Sequence, residues 1–432
     1  MKLKSSPTKI LSGIVKVPGD KSISHRAIML GSLAHGVSKI NNFLEGEDSI
    51  ATLKAFAAMG VKINHQTGGK VLIEGVGISG LKKPNGDLYL GNSGTAMRLL
   101  SGIMAGQNFS SILIGDESLN SRPMRRVTEP LTLMGAKINT QSDGTAPLMV
   151  NPSKLNAIEY KMPVASAQVK SSILLAGLYA GGKTCVIESA PSRDHTECML
   201  QSFGYTVKAN SAKVCLAGGG TLKACEIEVP NDISSAAFLM VAASIAKNTE
   251  IILSRVGVNK TRTGIIKILK AMGADIQIIS QSSDNLEPVA DIRVRSADLV
   301  GIDIPPELVP LAIDEFPVIF IAAACAVGTT VLSGARELRV KESDRIAAME
   351  EGLQKLGIDA VATDDGMIIK GSARFKGGQV NSFGDHRIAM AFAVAACNAK
   401  DDIVIEDCEN INTSFPDFVK IANAAGMQIQ EI

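Results

Sequence analysis

The sequence predicts an α/β (α+β) protein of two lobes, each made of three βαβαββ units. Three observations carry this. At 432 residues the chain exceeds what a single hydrophobic core supports. One theme recurs six times: a polar turn opens an Ala- and Leu-rich helical run, a Gly, Lys or Asn turn ends it, and a short β-branched strand follows. The anchors of the copies, Lys21, Ser93, Ser166, Ser234, Asp314 and Asp385, lie about 70 residues apart, a period that marks repeated supersecondary units. Between copies runs a second helix that ends in Met-Gly or Leu-Gly, as in "LKAFAAMG" and "GLQKLG".

Each element follows from its local pattern. The opening "TKILSGIVKV" reads as a lone strand ahead of the first unit, free to complete the C-terminal half. The first helix of each unit is apolar almost all round, which calls for burial, yet its first turn is polar. The Gly after each second helix fits a left-handed C-cap, a backbone state that only Gly adopts cheaply. Six units divide into residues 18–228 as the N-terminal lobe and residues 1–17 plus 229–432 as the C-terminal lobe, with an active cleft expected between them.

Composition excludes several function classes. Lys+Arg 44 against Asp+Glu 43 leaves a net charge of +1, so no chain-wide basic excess points to nucleic acid or a membrane surface. Aromatic residues make up 4% of the chain and Trp is absent, which offers no platform for stacking bases. The start "MKLKSSPTKI" lacks an apolar signal segment and no run of about 18 apolar residues occurs, so a cytoplasmic protein, or a chain whose targeting segment has been removed, is expected. Seven Cys form no C-x-x-C pair and are expected as reduced, buried thiols. The five His are scattered, and neither a metal nor an organic cofactor is expected.

Two glycine motifs fail on context. "GVGISG" (Gly75 to Gly80) runs on into a Pro-containing loop, and "GLYAGGKT" (Gly177 to Thr184) has its helix before the glycines and its strand after. A nucleotide site needs the reverse order.

Chemistry concentrates at the helix starts. Ser, Thr, Asn or Asp there offer unpaired N–H groups and a positive dipole end to an anion, although such residues are also plain N-caps. Caps do not account for the cations beside them: Lys21 and Arg26, Arg98, Arg122, Arg125 and Arg126, Lys170, Arg193, Lys341 and Arg345, and Arg387. Arg forks chelate phosphate or carboxylate, and Lys acts as a point charge. Asp48, Asp232, Asp314, Glu342 and Asp385 are the acids of interest. For Asp314 the alternative is a helix cap beside Pro317, and for "VKESDR" an intrahelical ion pair.

Eight ordered blocks, "PGDKSISHRA", "LGNSGTAMRL", "SRPM", "SAQVKS", "DISSAAF", "LRVKESDR", "GDHRIAM" and "SFPDF", resemble the 5-enolpyruvylshikimate-3-phosphate synthase family of enolpyruvyl transferases over essentially the whole chain. The resemblance implies a two-lobed inside-out α/β barrel with buried parallel helices, working without cofactor, as a monomer, on phosphoenolpyruvate and shikimate 3-phosphate. It implies that Lys21, Ser22, Arg26, Ser166, Gln168, Arg193, Asp314 and Lys341 meet shikimate 3-phosphate. Phosphoenolpyruvate would meet Lys21, Gly94, Arg122, Gln168, Arg345 and Arg387. Asp314 and Glu342, with Lys21 assisting, would serve the proton transfers. Three positions depart from common family patterns: Ala167 in place of a second Ser, Thr413 in place of a Lys, and Leu99 where the branch inhibited by glyphosate has Pro. The alternatives are a transferase acting on UDP-N-acetylglucosamine, whose loop usually carries a Cys absent from "DESLNSRPM", and a non-catalytic anion-binding relative.

Overall fold

Thirteen α-helices are found among the described residues: α1 Lys21–Leu33, α2 Glu47–Ala58, α3 Gly94–Ala105, α4 Glu117–Asn120, α5 Arg125–Leu133, α6 Ala167–Gly177, α7 His195–Ser202, α8 Ile233–Ile245, α9 Gly264–Ala271, α10 Phe316–Cys325, α11 Arg345–Lys355, α12 His386–Ala395 and α13 Phe418–Ala424. The structure is a computed structural model and describes every residue except Lys9, Ser211, Asn285, Leu286, Ser372 and Ala373. Six sheets accompany the helices. The chain divides into a C-terminal unit (Met1–Pro18, Pro230–Ser283 and Pro288–Ile432) and an N-terminal unit (Gly19–Val229 with Asp284–Glu287).

In the N-terminal unit α1, α3 and α6 are the buried helices, and three sheets belong to the same unit. In the C-terminal unit α8, α10 and α12 take that place, again with three sheets. All thirteen residues of α8 are buried. An apolar side chain removed from water in this way contributes about 1.5–3 kcal/mol, so each trio forms the centre of its unit's core. The second helix of each unit ends on a glycine with positive φ: Gly60, Gly135, Gly204, Gly273, Gly357 and Gly426. Those turns bring the chain back into its sheet.

The lone strand expected over "TKILSGIVKV", of which Lys9 lies outside the described residues, forms over Ser12–Val15. A further strand, Leu3–Ser6, precedes it. Leu3–Ser6 pairs antiparallel with both Ile403–Glu406 and Gln428–Glu431, and Ser12–Val15 runs parallel to Glu250–Gly257. Both complete sheets of the C-terminal unit.

The expectation of seven reduced thiols is corrected at one pair. Lys183–Ile187 and Lys213–Ala217 pair antiparallel with Cys185 directly opposite Cys215, and the two form a disulfide with their Cα atoms 4.1 Å apart. Strand register makes this pair, and nothing in the Cys spacing announces it. Of the remaining five, Cys397 and Cys408 are buried, while Cys198, Cys225 and Cys325 are half-buried.

Candidate active site

In the N-terminal unit the first turns of α1, α3 and α6 are tied together by side chains. Asp20 caps α1, accepting from the Ile23 N–H at 2.9 Å, and Ser93 caps α3 through the Ala96 N–H at 3.1 Å. Ser166 caps α6 through the Val169 N–H. Lys21, on the first turn of α1, forms an ion pair with the buried Asp48 of α2. His25 is fully buried and joins Thr52 Oγ1 at 2.7 Å on one side and Ser93 Oγ at 3.4 Å on the other. Burial, with Lys21 and Arg26 nearby, holds this imidazole well below its ordinary value, so it is neutral at pH 7.

Arg26 is buried and points toward α6 and α7. Its Nε donates to Thr196 Oγ1 at 2.7 Å, its Nη2 to Ser171 Oγ at 2.8 Å and its Nη1 to the Ser22 carbonyl at 2.9 Å. Burial pulls it down to about 10, which leaves it cationic at neutral pH. Arg98, inside apolar α3, donates to Gln168 Oε1 at 2.7 Å, and Gln168 Nε2 donates to Thr95 Oγ1 at 3.0 Å. A Cβ at Gly94 would lie 2.9 Å from Arg98 Nη1 and 3.3 Å from Arg122 Nη1. Glycine therefore lets two guanidiniums close on the first turn of α3. Arg122 is fixed by Asn92, through both its side chain and its carbonyl, and by Ser118 Oγ at 3.2 Å. Arg193 stands half-buried in the loop ahead of α7.

The C-terminal unit repeats the device with more carboxylates. Asp314 lies 3.4 Å from Lys341 Nζ and 3.6 Å from Arg345 Nη1. Arg345, which is 1% exposed, also pairs with Glu342 at 2.6 Å and with Asp385 at 2.7 Å. Burial opposes its charge, yet Asp385 and Glu342 overcome that and raise Arg345 above its ordinary value. Asp385 caps α12 through the Arg387 N–H at 2.9 Å, and Arg387 Nη1 donates to the Asp314 carbonyl at 3.0 Å. Asp314, Glu342, Arg345 and Arg387 thus form one connected cluster.

The alternative readings of two acids do not describe this geometry. Glu315, not Asp314, occupies the N-cap of α10. Lys341 and Glu342 precede α11, which begins at Arg345 behind an Asp344 cap, so the Glu342–Arg345 pair is not intrahelical. Arg125 is exposed and bonds the carbonyls of Asp143 and Ser142, away from the cluster around Gly94. Thr413 is buried and donates to the Asn410 carbonyl at 2.7 Å.

Sequence reasoning missed a buried network in the C-terminal unit. Ser234 donates to Glu315, Arg262 Nη2 donates to Ser234 Oγ at 2.7 Å, and the same nitrogen lies 3.3 Å from Asp232. Its signal was the Arg in "TRTGII", which directly precedes the Thr263 cap of α9. Among the described residues no group of three or more His, Cys, Asp or Glu gathers as a metal site.

The fold defines the class: it is that of the enolpyruvyl transferases. The enolpyruvyl transferase NikO from Streptomyces tendae superposes with a TM-score of 0.80 over 99% of this chain and 98% of its own, at 14% identity, a likeness of fold alone. EPSP synthase from Acinetobacter baumannii superposes with a TM-score of 0.89 at 51% identity, covering 100% of both chains. The 3-phosphoshikimate 1-carboxyvinyltransferase of Alkalilimnicola ehrlichii is 59% identical over 98% of this chain and 95% of its own. That of Methylococcus capsulatus is 58% identical over 99% and 98%. The sequence profile of EPSP synthase (3-phosphoshikimate 1-carboxyvinyltransferase) matches residues 6–421, and the chain belongs to that family.

Proposed function

We propose that this chain transfers the carboxyvinyl group of phosphoenolpyruvate to the 5-hydroxyl of shikimate 3-phosphate and releases inorganic phosphate. The observation that carries the reading is the pair of charged clusters at the helix starts, Arg122 against Gly94 in one unit and Asp314–Glu342–Arg345–Arg387 in the other. Both substrates are polyanions, and Arg and Lys beside them offset their repulsion.

Shikimate 3-phosphate is assigned to Lys21, Ser22, Arg26, Ser166, Gln168, Arg193, Asp314 and Lys341. Phosphoenolpyruvate is assigned to Lys21, Gly94, Arg122, Gln168, Arg345 and Arg387. The hydroxyl gives up its proton as its oxygen bonds to C2 of phosphoenolpyruvate, and C3 takes a proton, giving a tetrahedral adduct. The C2–O bond to phosphate then breaks, and C3 gives up a proton to restore the double bond. Asp314 and Glu342 carry these protons, and Lys21 stabilises the developing charge.

Glu342→Gln separates binding from chemistry. Its affinity for shikimate 3-phosphate should stay within about threefold while turnover falls by about 10²–10⁴, the usual worth of a positioned proton carrier. Unchanged turnover would remove Glu342 from the role. The proposal includes a cytoplasmic monomer, which sedimentation at micromolar concentration checks for the oligomeric state. No described helix is long and apolar enough to cross a membrane.

A further inference from the structure

Lys170 is a buried cation that the reaction leaves unused. It sits in α6 with only 1% of its side chain exposed. Its Nζ is 2.9 Å from Glu188 Oε2, 2.7 Å from Glu197 Oε1 and 3.4 Å from the Ser192 carbonyl. Ser192 Oγ in turn donates to the other oxygen of Glu188. These partners span one loop. Glu188 opens it just after the strand Lys183–Ile187, Ser192 precedes Arg193, and Glu197 lies in the first turn of α7, which follows.

A buried ion triad is poor value as stability alone, since an apolar side chain of the same volume serves a core as well or better. What it supplies is geometry. The adjacent residues make the point: Thr196 Oγ1 donates to Ser171 Oγ at 2.7 Å, and Arg26 donates to both hydroxyls. Lys170–Glu197 and Ser171–Thr196 are therefore neighbouring rungs between α6 and α7, the first continuing to the Arg193 loop and the second ending on Arg26. The charges also fit. Glu197 favours the charged form of Arg26, while the neighbouring guanidinium of Arg193 opposes it.

We propose that Lys170 is a positioning residue that clips the Glu188–Asp194 loop to α6 and so sets the placement of Arg193 and Arg26 for the phosphorylated substrate. The inference rests on the assignment of those two arginines to shikimate 3-phosphate. Burial works against the Lys170 charge, but Glu197 and Glu188 outweigh it and raise its value.

The test is steady-state kinetics on the full chain with both substrates. Lys170→Met should raise KM for shikimate 3-phosphate about tenfold or more, leave KM for phosphoenolpyruvate unchanged and keep kcat within about threefold. Ser192→Ala, which strands no buried charge, should raise the same KM about threefold, and it decides the matter if Lys170→Met fails to fold. In an Arg193→Ala background neither change should raise that KM further, because residues acting through one another are not additive. An unaltered KM for shikimate 3-phosphate in folded variants overturns the clip, as does a fully additive effect with Arg193→Ala or a parallel loss in kcat and both KM values. If Arg193→Ala alone leaves that KM unchanged, the assignment of Arg193 fails and the clip with it.

Discussion

At the scale of single residues, the surroundings of a few groups decide their behaviour. Gly94 is the plainest. A methyl group there would press on the guanidiniums of Arg98 and Arg122, so Gly94→Ala should raise KM for phosphoenolpyruvate by about tenfold while KM for shikimate 3-phosphate changes little, as steady-state kinetics would show. His25 gives a prediction in pH. Its folded value lies well below the ordinary 6.5. Above about pH 6.5 neither state binds the proton and stability is unaffected. As pH falls below that, the unfolded chain takes up a proton that the folded chain refuses, and stability declines by up to about 1.4 kcal/mol per pH unit until the folded value is reached. Urea unfolding at pH 7.5, 6.5 and 5.5 should show this slope in the parent and a shallower one in His25→Asn; equal slopes would contradict it. Asp20 and Ser93 were legible as caps because short polar side chains before apolar runs have few other uses. The partners of Lys170 and Arg262 were not, because they lie far along the chain and only folding brings them near.

At the scale of elements, the repeat was readable for two physical reasons. A helix apolar on every side has to be buried, and a glycine after its companion has to turn left-handed; both hold for each of the six copies. Strand detail was harder. The strand Leu3–Ser6 is short and mostly polar and so carried no strand pattern, and the Cys185–Cys215 disulfide depends on antiparallel register, which spacing does not encode. The "VKESDR" segment shows a similar limit: charges three and four apart suit a helix, but Asp344 caps α11 and leaves Lys341 and Glu342 before it. Packing between elements yields its own prediction. A Cβ at Gly102 of α3 would meet the Ser172 carbonyl of α6 at 2.2 Å, and backbone cannot step aside cheaply. Gly102→Ala should therefore lower unfolding stability by about 1–3 kcal/mol in urea titration; a change within error would mean that α3 and α6 pack less tightly than described.

At the scale of the whole molecule, the chain begins and ends in the same unit, with Leu3–Ser6 held between Ile403–Glu406 and Gln428–Glu431. The family blocks made the activity legible before any coordinates, since eight ordered motifs over the full chain leave little room for another chemistry. The central claim is that this chain transfers a carboxyvinyl group between two anionic substrates. The most direct measurement is inorganic phosphate release from phosphoenolpyruvate by the pure, folded protein, supplied in separate reactions with shikimate 3-phosphate and with UDP-N-acetylglucosamine. Steady release is expected with the first acceptor and none above background with the second. No release with shikimate 3-phosphate, or release only with the nucleotide sugar, would contradict it.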